Sequence, residues 1–138
     1  VARQPSDQPT DGELEILQLL WSQGPSPLAA ICEGLRRRRP VATTTVSTML
    51  KLMAEKGQVK RSKETRGALW SARRSRRVTS RGLLHRFMDR AFGGSPSRMV
   101  AHLLEDGQLD DEERQQILRL LAEHGKDGDD EPAGRQQP

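Results

Sequence analysis

Tyrosine is absent from the 138-residue chain, and phenylalanine and tryptophan occur only twice each. Hydrophobic residues make up 33% of the sequence against 30% charged. So little bulky apolar material cannot fill one large core; it suits a small unit plus helices that borrow burial from a partner. Cysteine occurs once, at Cys32, which excludes an intrachain disulfide and fits a reducing compartment. No apolar run approaches the roughly 18 residues of a membrane span, and no signal-peptide pattern opens the sequence. The expected location is the cytoplasm, with no membrane partner. His85, His102 and His124 are far apart and show no H-x-x-x-H or C-x-x-C pairing, so neither a metal nor a cofactor is expected. "GGSPS" lacks the lysine of a phosphate-binding loop, and Cys32 falls on an apolar helical face as a packed thiol rather than a nucleophile. The carboxylates of Asp110–Glu113 stabilise a helix N-terminus and show no acid–base arrangement. An enzyme is not expected.

Charge is present in quantity and is segregated. Between Arg36 and Arg86 there are 16 Lys and Arg against 2 Asp and Glu, whereas Glu105 to Glu131 holds 11 acidic and 3 basic residues. A basic body with an acidic end is the electrostatic footprint of a protein that meets a polyanion and keeps one end clear of it. Solubility alone would not require the two signs to separate.

The basic body reads as a helix–helix–helix–hairpin. Residues 1–9 lack periodicity and are expected to be loose. Thr10 with Glu13 forms a capping box ahead of Leu14, Ile16, Leu17, Leu20 and Trp21, and Gly24 ends this first helix. Ser26 is the expected cap of a second helix, with Pro27 in its first turn and Leu28, Ile31, Cys32 and Leu35 as its buried face. In the third, Val46, Met49, Leu50 and Met53 make an apolar stripe at i, i+3, i+4 and i+7, with Gly57 as the stop. Two short strands around a turn near Thr65–Gly67 follow, with Val59, Leu69 and Trp70 as inward candidates. The plan is that of a winged helix-turn-helix over residues 10–77.

Beyond a basic connector, "RRSRRVTS", three short amphipathic helices are expected over 78–124: Arg81–Phe92, one opening at Pro96, and one from about Asp110 to Glu123. Leu84, Phe87, Met88, Phe92, Val100, Leu103, Leu104, Ile117, Leu118 and Leu121 supply their apolar faces. A unit of that size rarely buries enough surface to stand alone, and two copies pooling these faces is the economical solution. Residues 125–138 read as a polar, acidic, disordered tail.

The stretch "TTTVST" at 43–48 is poor helix-forming material, costing roughly half a kcal/mol per threonine against alanine. Opposite the apolar stripe, Thr44, Ser47, Thr48 and Lys51 gather on one face. In a helix-turn-helix the second helix of the pair enters the major groove with its N-terminal residues against base edges. Threonine is short, hydrogen-bonds, and touches a thymine methyl. Thr44, Thr45, Ser47, Thr48 and Lys51 are therefore the candidate base- and phosphate-contacting residues, with Arg61, Lys63 and Arg66 on the hairpin as wing contacts. Leu52, at the edge of the face, is expected to pack against the elbow of the first two helices. The runs at 36–39 and 73–77 are equally readable as phosphate contacts and as solubilising charge.

These motifs resemble the BlaI/MecI penicillinase-repressor family of bacterial transcriptional regulators. The resemblance spans about residues 10–124 and rests on "TDGELEILQLLWSQGP", "TTVSTMLKLMAEKG" with its basic wing, "RAFGGSPSRMVAHLLEDGQLDDEE" and "ILRLLAEH". It implies a homodimeric repressor with a winged helix on each half of a palindromic operator and an interlocked helical dimerisation region. It also implies control of β-lactamase or other resistance and stress genes, and inactivation by a sensor-protease that triggers cleavage in the dimerisation region. This chain departs from the pattern at Thr43, where an aromatic is common, and at Leu52, where an arginine is common. His102-Leu103 aligns with the scissile Asn-Phe of the best-known members. The cysteine-rich C-terminal motif of copper-responsive relatives is missing. Two other functional classes fit the same residues: a winged-helix regulator controlled by a small molecule, and a winged-helix protein-interaction module. Steep salt dependence of duplex binding distinguishes the DNA-reading class from the last.

Overall fold

A computed structural model of the chain describes residues 8–64 and 67–129. It is mostly helical: α1 (Asp11–Gln23), α2 (Leu28–Arg36), α3 (Thr43–Glu55), β1 (Val59–Glu64), β2 (Gly67–Ala72), α4 (Arg76–Phe92), α5 (Pro96–Glu105) and α6 (Asp111–Asp129). These form two compact units, one reaching to Phe87 and the other starting at Met88, so that the division falls within α4.

In the first unit the apolar stripes meet as one core. Ile16, Leu17 and Leu20 of α1, Ile31, Cys32 and Leu35 of α2, and Val46, Leu50 and Met53 of α3 are all buried, closed by Val59 and Trp70 of the hairpin. Leu69 is only half-buried, because alternation along β2 turns it away from the side that Trp70 occupies. The strands pair antiparallel with Val59 opposite Ala72 and Arg61 opposite Trp70. α1 opens with both halves of its capping box: the Thr10 hydroxyl accepts the Glu13 N–H at 3.2 Å and the Glu13 carboxylate accepts the Thr10 N–H at 3.0 Å. Gly57, at φ 78°, takes the left-handed backbone that lets the chain turn from α3 into β1.

Several boundaries differ from those the sequence suggests, each for a local reason. Ser26 does not cap α2; the N-cap is Pro27, without a side-chain hydrogen bond. Instead the Ser26 N–H donates to the Trp70 carbonyl at 2.9 Å and its carbonyl accepts the Trp70 N–H at 2.8 Å, so Ser26 covers the open edge of β2. α4 begins five residues before Arg81, because the Ser75 hydroxyl accepts the Val78 N–H at 3.2 Å and starts the helix there. Thr79 is consequently a buried residue of the first unit. α6 runs past Glu123 to Asp129, into what reads as a disordered tail; the remainder of that tail lies outside the described residues. Of the expected loose start, Gln8 and Pro9 are half-buried, the Gln8 carboxamide filling the space where a β-carbon on Gly82 would sit.

The second unit has a different character. α5 is capped by Ser95, whose hydroxyl accepts the Arg98 N–H at 3.3 Å, and the Asp110 carboxylate accepts the Glu113 N–H at 2.8 Å at the start of α6. Between Met88 and Gly125 no residue is buried. Val100, Leu103 and Leu104 of α5 and Leu118, Leu120 and Leu121 of α6 are exposed. Phe92 and His102 meet edge to face with ring centroids 5.1 Å apart.

Candidate nucleic-acid interface

The outer surface of α3 follows from helix geometry. Val46, Leu50 and Met53 take the core side, which leaves Thr44, Thr45, Thr48 and Lys51 exposed. Ser47 is half-buried at the margin. Thr45 stands roughly 100° around the helix from Thr44, so it borders the face that Thr44, Thr48 and Lys51 share. Leu52 is 48% exposed and does not fill the elbow as expected. It sits two residues from Leu50, roughly 200° around the helix, and is carried outward with Thr48.

The hairpin presents cations on both sides. Arg61 and Lys63 are exposed. Arg61 lies over its cross-strand neighbour Trp70 with its guanidinium 5.8 Å from the ring centroid, a cation–π contact that holds the side chain along the wing. Arg66 lies outside the described residues. Lys60, with Arg73 and Arg74, lines a shallow groove of about 580 Å³ beside Trp21, together with Ser62 and Ser71 and with no carboxylate in its walls. No local pattern in the sequence joins Lys60 to the 73–77 run. The signal for that join is Trp21, whose indole N–H donates to the Arg74 carbonyl at 2.9 Å and whose ring lies under the Arg76 guanidinium at 5.6 Å. The 73–77 run is thus docked on α1 and is not a free connector.

The 36–39 run is equally mixed. Arg36 donates from Nε to the Val41 carbonyl at 3.0 Å and from Nη2 to the Thr43 hydroxyl at 2.7 Å. Arg39 pairs with Glu15 at 2.9 Å, and Arg37 stands 3.8 Å from Glu33 on open surface. Neither Thr43 nor Thr44 caps α3: the N-cap is Ala42, with no side-chain bond to the first turn. The first-turn N–H groups therefore face outward without an internal side-chain acceptor, beside hydroxyls and cations. Such a surface can take phosphate oxygens and base-edge acceptors.

No group of three His, Cys, Asp or Glu side chains among the described residues is arranged to hold a metal ion. No described helix is long and apolar enough to cross a membrane. His102 and Leu103 lie inside the regular helix α5, so a protease acting between them must first unwind it.

The profile of the Penicillinase repressor family matches residues 9–123. The chain belongs to that family. It is 26% identical over 117 residues to the penicillinase repressor of Bacillus licheniformis, an alignment covering 85% of this chain and 91% of that protein. Among solved structures, two mutants of Lactococcus lactis ZitR superpose with a TM-score of 0.43 at 21% identity, over 92% of this chain and 81% of theirs. As a penicillinase repressor family member, the chain is a winged-helix transcriptional regulator that binds DNA, not an enzyme.

Proposed function

We propose that this repressor reads a palindromic operator as a homodimer, placing the outer face of α3 from each copy in successive major grooves. The observation that carries the reading is the exposed stripe of Thr44, Thr48 and Lys51 on the second helix of a helix-turn-helix. Hydroxyls and an ammonium in that position suit base edges and phosphates, with Thr45 and Ser47 at the margins. Lys63, Arg61 and Arg66 extend the contact along the wing, where cations position the protein on the backbone without reading sequence.

The twofold assembly is supported by the second unit. Among the described residues its apolar side chains are at best half-buried, and a second copy supplies the missing apolar surface at once. Leu103, Leu104, Val100, Leu118, Leu121 and Ile117, with Met88 and Phe92, are the expected dimer contacts, joined by Leu84 and Phe87 from the earlier part of α4. The domains so assigned are 10–77 for DNA and 78–124 for assembly. Family membership makes β-lactamase or other resistance and stress genes the expected targets, and a repressor that meets chromosomal DNA works in the cytoplasm. A sensor-protease acting at His102-Leu103 would meet a helical bond with neither of the expected Asn-Phe side chains, which makes proteolytic release the weaker part of the family's pattern here.

Selection of bound duplexes from genomic fragments by the purified protein tests the reading. A recovered motif with inverted symmetry is the expected result. Equal affinity for recovered and scrambled duplexes at physiological salt overturns it.

A further inference from the structure

A run of four arginines at 36–39 invites the reading of a phosphate-facing surface, but Arg36 turns its guanidinium onto its own protein. From the end of α2, Nε donates to the Val41 carbonyl at 3.0 Å and Nη2 donates to the Thr43 hydroxyl at 2.7 Å. These acceptors flank Ala42, the N-cap of α3, whose methyl group offers no capping bond. A helix start without a side-chain cap is loosely held, because its first N–H groups lack internal partners. Here the looseness would fall on the turn that carries Thr44 and Thr45. A planar guanidinium engaged through two N–H groups of one edge fixes direction as well as distance. It supplies from α2 the restraint that Ala42 cannot.

We propose that Arg36 is a positioning residue for sequence reading: it locks the first turn of α3 to the end of α2 and so sets where Thr44 and Thr48 stand against the bases. This rests on α3 being the base-reading helix. Both acceptors are neutral, so the role of Arg36 is geometric, and a positive charge alone does not fulfil it. Lysine keeps the charge but has one compact ammonium, which cannot reproduce the rigid two-donor fork. Binding to arbitrary DNA depends chiefly on the number of phosphates neutralised, whereas binding to a chosen sequence also depends on placement against base edges. Loss of the clamp therefore lowers the second and spares the first.

The test uses the full-length protein, the tightest duplex that the wild type recovers from a random-sequence pool, and a scrambled duplex of the same composition. Arg36→Lys is expected to weaken binding to the recovered duplex about tenfold, to leave the scrambled duplex within about twofold, and to keep the salt slope of wild type. Thr43→Val, which removes one acceptor, is expected to reproduce part of the loss. The double variant is expected to lose no more than Arg36→Lys alone, because both changes break one interaction. Circular dichroism and melting of each variant separate this from a general loss of fold. Selectivity unchanged in Arg36→Lys, or losses that add in the double variant, overturns the proposal. So does an equal loss on both duplexes in Arg36→Gln with a salt slope shallower by about 0.9, the mark of a phosphate contact. Should Arg36→Lys fail to fold, Thr43→Val decides: selectivity intact in that variant overturns the clamp. A wild type that prefers no sequence defeats both the clamp and the base-reading role of α3, whereas a selective wild type matched by Arg36→Lys defeats the clamp alone.

Discussion

The ammonium of Lys56 lies 2.8 Å from a carboxylate oxygen of Glu13, tying the end of α3 to the first turn of α1. The Glu13 side chain is 7% exposed and that of Lys56 24%. The same carboxylate accepts the Thr10 N–H at 3.0 Å and the Gln58 amide at 3.4 Å. Burial alone would raise the Glu13 pKa. The Lys56 hydrogen bond, the Thr10 N–H, the Lys56 charge and the Gln58 amide together outweigh it, and the carboxyl is held below the ordinary range.

A carboxyl with a lowered folded pKa is protonated more readily in the unfolded chain. Its stabilisation is complete above the unfolded value, about 4.3, and disappears as pH falls through the folded one. Glu13→Gln is therefore expected to reduce stability at neutral pH by roughly 1.5–3 kcal/mol and to match wild type more closely as the medium becomes acidic. Urea unfolding measured between about pH 3 and pH 7 checks this; a difference that stays constant across the range removes Glu13 ionisation as the cause.

Thr48 is exposed on α3 and contributes nothing to the core. Thr48→Ala is expected to weaken operator binding by roughly 1–3 kcal/mol while leaving the melting temperature nearly unchanged. Titration of the recovered duplex alongside thermal unfolding gives both readouts. Normal affinity in a destabilised variant refutes the contact.

Lys51 and Lys63 are exposed cations on the helix and the wing. If each meets a phosphate, Lys51→Gln and Lys63→Gln should each make the slope of log affinity against log salt shallower by about 0.9. Fluorescence anisotropy over a salt series measures it. A slope equal to wild type places that lysine away from the backbone.

Leu104 and Leu121 are 51% and 64% exposed in the single chain. Glutamate at both positions should cost an isolated protomer roughly 0.5 kcal/mol or less per site, because neither side chain fills a core. Across a shared apolar interface the same charges would be buried, so assembly should fail. Sedimentation of wild type as a dimer and of the double variant as a folded monomer, both at micromolar concentration, is the expected outcome. A monomeric wild type contradicts the assembly.

Much of the first unit was legible because local periodicity and global packing agree in it. Val46, Leu50 and Met53 announce a buried stripe by spacing, and the face they leave is the one Thr44, Thr48 and Lys51 occupy. Glu13 was legible only as half of a capping box with Thr10. Its bonds to Lys56 and Gln58 join residues more than forty positions apart, and no local pattern encodes such a meeting. Ser26 misled for the same reason: a serine before a proline reads as a cap, but the open edge of β2 claimed its backbone.

The amino-acid order by itself determined which residues of α1, α2 and α3 face the core, that α1 stops at Gly24 and α3 before Gly57, and that cations collect around a threonine-bearing helix, since these depend on neighbours within a few turns. Folding decided what each arginine does. Identical in sequence, Arg36 became a clamp on the start of α3, Arg39 a partner for Glu15, Arg61 a lid over Trp70 and Arg76 a cover for Trp21. A long, flexible cation takes its role from whichever acceptor or ring the distant chain brings within reach, and only the packed structure fixes those positions.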